Sequence, residues 1–225
     1  MTQNEQRLLD SWAVNAQPWT RLVRKQQIKS RTLVTNSAIV EAVVELAPRT
    51  FLDIGCGEGW LCRELYSRGF NGWGVDGTPD LIESAKSLGD VRFVVSAYSD
   101  LPLQKFGSIE QFSCFICNFS ILGERSLGEI AEAGQSLLES QGKIIIQTLH
   151  PLMTGDDLPY VDGWRSTSWQ GISDESFQPA PWYFRTIESW IAEFHLRNYR
   201  LVKLQEPCYA QTLQPASMIF IFERQ

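Results

Sequence analysis

The stretch FLDIGCGEGWLCREL, Phe51 to Leu65, limits the folds open to this chain more than any other. An apolar run readable as a strand gives way to a helical pattern, and the turn between them carries glycines at 55, 57 and 59. Glycine lacks a Cβ, so it tolerates positive φ and lets another group approach backbone N–H groups closely. A strand, a glycine turn and a helix in succession open a βαβ crossover, and with it a parallel sheet.

The alternation continues to Leu149. The expected strands are TFLDIG, GWGVD, VRFVVS, FSCFICNF and KIIIQTL. A helix over about 60–68 stops at Gly69; a second has Thr78 as N-cap and Pro79 at its first position. A third, LGEIAEAGQSLLES, is closed by Gly142. Residues 151–184 then break the rhythm with four prolines and seven aromatics: Tyr160, Trp164, Trp169, Phe177, Trp182, Tyr183 and Phe184. They read as a covering loop, with Trp164 and Trp182 as candidates to line an acceptor pocket. The helix TIESWIAEFHLRN, capped by Thr186, leads to the strands YRLVKLQE and SMIFIFER. Too few residues separate these strands for a crossover helix, so the last one should run antiparallel. Helical spacing at Ala38, Ile39, Ala42, Val43 and Leu46 makes the N-terminal segment helical. The expected organisation is a helical cover over 1–48 and a main domain over 49–225, with 151–184 as an aromatic, proline-rich lid insertion.

The charge balance, 20 Lys+Arg against 26 Asp+Glu, gives −6 and makes nucleic acid an unlikely partner. The basic cluster RLVRKQQIKSR, 21–31, reads as a solvated helix face. No apolar run approaches bilayer length and the N-terminus is polar, so no membrane partner and a cytoplasmic location are expected. Cys114 and Cys117, three apart on a strand, should point to opposite faces as core fillers rather than metal ligands. No metal site is expected, and Asp156, Asp157 and Asp162 read as solvated loop acids.

The glycine turn narrows the ligand. A dinucleotide motif, G-x-G-x-x-G, would put its third glycine at position 60, where this chain has Trp60. Asp53 and Glu58 would repel a diphosphate and suit a ligand with a cationic end. Asp76, ending the second strand, is placed to accept the two hydroxyls of a ribose. A ribose with a positively charged tail and no phosphates points to S-adenosylmethionine.

DIGCGEG followed by GVDGT resembles the paired motifs of the class I S-adenosylmethionine-dependent methyltransferases. The resemblance covers about 49–225 and is nearest to single-domain, small-molecule methyltransferases. It implies an α/β Rossmann-like three-layer sandwich: a seven-stranded, mostly parallel sheet with an antiparallel last strand. It also implies that Asp53, Gly55, Cys56 and Gly57 surround the methionine part and that Asp76 holds the ribose with Gly77 near the adenine. Ala97 and Tyr98 should meet the adenine; Asn118, Phe119 and Ser120 should lie beneath the methionine. Relatives often carry an acid where this chain has Ala97. His150, at the end of the fifth strand, is the candidate general base. S-adenosylhomocysteine would be the product and a small molecule the acceptor, with the oligomeric state undetermined. The competing readings are an NAD-dependent oxidoreductase and a non-catalytic S-adenosylmethionine-binding module.

Overall fold

The computed structural model describes residues 2–154, 158–166 and 177–225. Trp169, Asp156 and Asp157 lie outside the described residues.

Two helices precede the sheet, α1 (Gln3–Arg24) and α2 (Asn36–Leu46), with a π-helical turn, Arg31–Thr35, leading into the second. Then come β1 (Thr50–Ile54), α3 (Trp60–Ser67), β2 (Asn71–Asp76), α4 (Pro79–Lys86), β3 (Arg92–Val95), β4 (Phe112–Asn118), α5 (Ser126–Leu137) and β5 (Leu138–Thr148). A small hairpin, β6 (Gly163–Arg165) with β7 (Trp182–Phe184), precedes α6 (Ile187–His195), β8 (Tyr199–Gln205) and β9 (Met218–Arg224). The main sheet has seven strands in the order β3-β2-β1-β4-β5-β9-β8. The first five run parallel; β9 runs antiparallel to both β5 and β8 and lies between them. This is the expected Rossmann-like sandwich with its reversed final strand.

Period-two alternation decides which layer each strand residue joins. Leu52, Ile54, Phe115, Ile144 and Ile146 pack with Leu127 and Ile130 of α5 and with Trp190 and Phe194 of α6. Phe51, Ile116 and Ile145 pack on the opposite face with Ile39 and Val43 of α2, Leu61 and Leu65 of α3, and Ile82 of α4. Each of these buried side chains contributes about 1.5–3 kcal/mol of transfer free energy. Cys117 belongs to the first layer and Cys114 to the second, as the strand spacing required.

Three local expectations need correction. The helix ending in LLES stops at Leu137, and Leu138 already lies in β5, fully buried and paired with Phe112. Burial of Leu138 in the sheet outweighs the helical pattern, so Gly142 caps no helix. Thr78 makes no side-chain cap on α4; its own N–H donates to Asp76 Oδ1 at 2.8 Å. Asp162 is not merely a solvated loop acid. It accepts from the Thr186 N–H at 2.8 Å and from the Ser189 hydroxyl, and so supports the start of α6 beside Thr186, whose Oγ1 accepts from Ser189 N at 3.1 Å.

Candidate functional site

A cavity of about 370 Å³ opens at the carboxyl edge of the parallel strands. In a sheet of this type ligands bind there, beside the turns into the helices. The turn after β1 brings Asp53, Gly55, Cys56 and Gly57 to its wall, and the end of β2 brings Asp76 and Gly77. Ala97 and Tyr98 come from beyond β3, and Asn118, Phe119 and Ser120 from β4 and the turn after it. All eleven expected cofactor residues therefore face one space.

The glycines do different jobs. Gly55 has φ +74°, and a Cβ there would sit 2.3 Å from Ser120 Cβ and 2.5 Å from Tyr98 Oη. Its bareness lets those two side chains meet over the turn, where Ser120 Oγ donates to Ile54 O at 2.6 Å and Tyr98 Oη donates to Ser120 O at 3.0 Å. Gly59 answers to packing instead, because a Cβ would strike the Phe93 ring at 2.6 Å. Phe119 itself holds φ +54°, a costly conformation for a bulky residue, and its N–H is anchored on Gln147 O at 2.8 Å.

Buried charge gives the cavity its chemistry. Asp53 is 1% exposed; its Oδ2 accepts from Cys62 Sγ at 3.2 Å, and its Oδ1 has no partner. Burial pushes this carboxyl up to about 7. Asp76 is also raised by burial, against the pull of the Thr78 N–H and of the Gly57 N–H, the latter donated at 2.9 Å. Arg31 supplies the opposite charge. It is 8% exposed, its guanidinium lies 4.8 Å from the Trp60 ring and 5.5 Å from the Trp19 ring, and its Nε donates to Asn36 Oδ1 at 3.1 Å. Its Nη2 is without a hydrogen-bond partner, and burial lowers its pKa to about 10 although Glu58 and Asp53 oppose the shift. A buried guanidinium nitrogen and a buried carboxylate oxygen, both unsatisfied and both at one cavity, fit a zwitterionic amino-acid group. Asn118 Oδ1 is a second unpartnered acceptor at the wall.

Sequence reasoning missed Arg31, because it sits in a basic cluster that reads as a solvated face. Arg31 is buried, whereas Arg24 stays exposed while pairing with Glu58 at 3.2 Å. Glu58 also pairs with Arg63 at 2.6 Å, so it presents no free charge to a ligand, and it is not among the residues lining the cavity. Glu58, paired and away from the cavity wall, does not set the charge of the ligand there, while Trp60 does line the cavity.

Helix α1 forms a further wall through Glu5, Leu8, Leu9, Trp12, Ala13 and Trp19. The segment before β7 is tied to it: fully buried Asn15 donates to Gln178 O at 3.0 Å and accepts from Gln178 N at 2.9 Å. Trp164 and Trp182 are not among the lining residues. Trp182 is buried edge-on against Phe184, and Trp164 Nε1 donates to Glu124 at 3.4 Å.

His150 is likewise not brought to the cavity. Its Nδ1 accepts from Leu152 N at 3.2 Å, which leaves the proton on Nε2 to face Glu206 Oε1 at 2.8 Å. The histidine ties the end of β5 to the end of β8. Among the described residues no group of histidine, cysteine and acidic side chains could hold a metal ion, and no helix is long and apolar enough to cross a membrane.

Residues 28–204 match a family described as a methyltransferase domain. A ubiquinone biosynthesis O-methyltransferase from Xanthomonas oryzae pv. oryzae is 26% identical over 147 residues, which are 63% of this chain and 60% of that protein. Among solved structures, an S-adenosylmethionine dependent methyltransferase from Mesorhizobium loti has a TM-score of 0.60 at 14% identity, covering 82% of this chain and 96% of the other. The 1,6-didemethyltoxoflavin-N1-methyltransferase of Burkholderia thailandensis, solved with 1,6-didemethyltoxoflavin and S-adenosylhomocysteine, has a TM-score of 0.63 at 13% identity, covering 97% and 90%. At such identities the likeness to the solved structures is one of fold.

Proposed function

We propose, from the premise that this chain belongs to the methyltransferase-domain family it matches over residues 28–204, that it moves a methyl group from S-adenosylmethionine to a small, partly apolar acceptor. The observation that carries this reading is the pair of unsatisfied buried atoms, Arg31 Nη2 and Asp53 Oδ1, at a cavity whose edge also holds Asp76. Arg31 would take the carboxylate of the methionine part and Asp53 its ammonium. Asp76, with one lone pair on each oxygen given to a backbone N–H, keeps acceptor capacity for the ribose hydroxyls.

When bound, S-adenosylmethionine supplies a methyl group already activated on a sulfonium. The protein's task is then to align the acceptor and exclude water, a contribution of several kcal/mol in well-oriented systems, up to about 7–11. Leu8, Trp12 and Leu122 give the wall an apolar stretch suited to a flat or aliphatic acceptor. The 1,6-didemethyltoxoflavin bound to the Burkholderia neighbour and the Xanthomonas relative's O-methyltransferase name support a small-molecule acceptor. His150 would reach an acceptor only by releasing both ring contacts, so the transfer is assigned to positioning rather than to this base.

Thermal unfolding tests the reading. S-adenosylhomocysteine at a hundredfold excess over its Kd should stabilise the fold by about 2.7 kcal/mol. NADH should leave the Tm unchanged, and Asp76→Ala should lower the affinity for S-adenosylhomocysteine. Stabilisation by NADH and none by S-adenosylhomocysteine would overturn the proposal.

A further inference from the structure

We propose that Glu129 recognises the adenine amino group of the cofactor, standing in for the acid that this chain lacks at Ala97. The inference rests on the S-adenosylmethionine reading above and extends it to one residue.

The adenine amino group is a donor in need of an acceptor, and four carboxylates line the cavity: Glu5, Asp53, Asp76 and Glu129. Three are committed elsewhere. Asp76, beside the N–H groups of Gly57 and Thr78, gives its remaining acceptor capacity to the ribose hydroxyls on the reading above. Glu5 is engaged through Oε1 by the Arg125 N–H at 3.0 Å and through Oε2 by the Thr2 N–H at 3.2 Å. Asp53 is bonded to Cys62 through Oδ2, and its Oδ1 is assigned above to the ammonium of the methionine part. Glu129 is different. Its ion-pair partner among the described residues is Arg125 Nε at 3.7 Å, beyond good hydrogen-bond distance.

Its position suits the role. Glu129 lies in the first turn of α5, the helix packed against the 3₁₀ turn Tyr98–Leu103 that follows Ala97. The nearer polar side chains of that turn are already used: Tyr98 Oη donates to Ser120 O, and Ser99 Oγ donates to Asp100 at 3.3 Å. Burial raises the Glu129 carboxyl above its ordinary range; Arg125 offsets this in part, and the charges of Glu5, Glu132 and Asp100 add to it. A donor placed at this carboxylate would relieve that cost.

The test compares S-adenosylhomocysteine with S-inosylhomocysteine, in which a carbonyl replaces the amino group, by calorimetric titration of the full chain. A carboxylate accepts from the amino group and repels the carbonyl oxygen. Wild type should therefore prefer the adenosyl compound by about 10–100-fold, the range for a hydrogen bond to a charged group. Glu129→Gln, whose amide can donate to the carbonyl, should cut that preference to about threefold or less, and Glu129→Ala should bring it near unity. Glu132→Gln, on the same helix and exposed, controls for a change in field and should keep the wild-type ratio. An unaltered ratio in both Glu129 variants, no preference in wild type, or an equal collapse in Glu132→Gln overturns the assignment. Failure of wild type to bind either compound removes the cofactor reading itself and the assignment with it.

Discussion

Gly55 and Gly69 both lie at positive φ, +74° and +88°, yet their surroundings differ. A Cβ at 55 would collide with Ser120 Cβ, an atom fixed to the backbone, whereas a Cβ at 69 meets nothing within 4 Å. Gly69→Ala should cost only the left-handed strain, about 1–2 kcal/mol. Gly55→Ala should add an overpacking cost of about 1–3 kcal/mol and remove the stabilisation by S-adenosylhomocysteine. Urea unfolding with and without the ligand checks both, and equal costs would mean that crowding does not dictate glycine at 55. At this scale the site was readable wherever a residue type broke an expected pattern. Three glycines in a strand-to-helix turn and an aspartate closing a strand have few local explanations. Arg31 had an ordinary one, since an arginine among lysines and glutamines looks like solvated surface until its burial against two indoles is seen.

Strands and helices of the main sheet were legible because burial on both faces imposes long apolar runs, and the α-helical period survives between them. The hairpin of β6 and β7 was not. Each strand has three residues, too few to show alternation, and their pairing partners lie far apart in sequence. Helix α1 is tied to the segment before β7 by an interaction that no periodicity encodes: the carboxamide of Asn15 pairs with both backbone groups of Gln178 much as a neighbouring strand would. Asn15→Ala should remove both of these bonds and destabilise the protein by about 1–3 kcal/mol. Hydrogen exchange should quicken most in α1 and in residues 177–184. Quickening spread evenly over the sheet would instead mean that the pair does not fasten α1 to residues 177–184.

For the whole molecule, the buried Asp53 links stability to pH. Its carboxyl rises from 3.8 when exposed to about 7 in the fold, so the folded state holds the proton more tightly than the unfolded chain. The resulting stability is fully present below about pH 4 and is lost as pH climbs through about 7. A cationic ammonium at Oδ1 would favour the charged carboxylate. Affinity for S-adenosylhomocysteine should therefore rise between about pH 5.5 and 8, with net proton release, and Asp53→Asn should flatten the trend. Calorimetry in two buffers of different ionisation enthalpy measures this; a pH-independent wild-type affinity would contradict it. The sheet order carries a separate consequence for biogenesis. Because β9 sits between β5 and β8, β8 has no main-sheet neighbour until β9 arrives, and Phe220 and Phe222 complete the apolar layer late. During translation at about 5–20 residues per second, the nascent chain must leave the ribosome with β5 as an open edge. Chaperone demand should peak in that interval and fall once residues 218–224 have emerged from the exit tunnel.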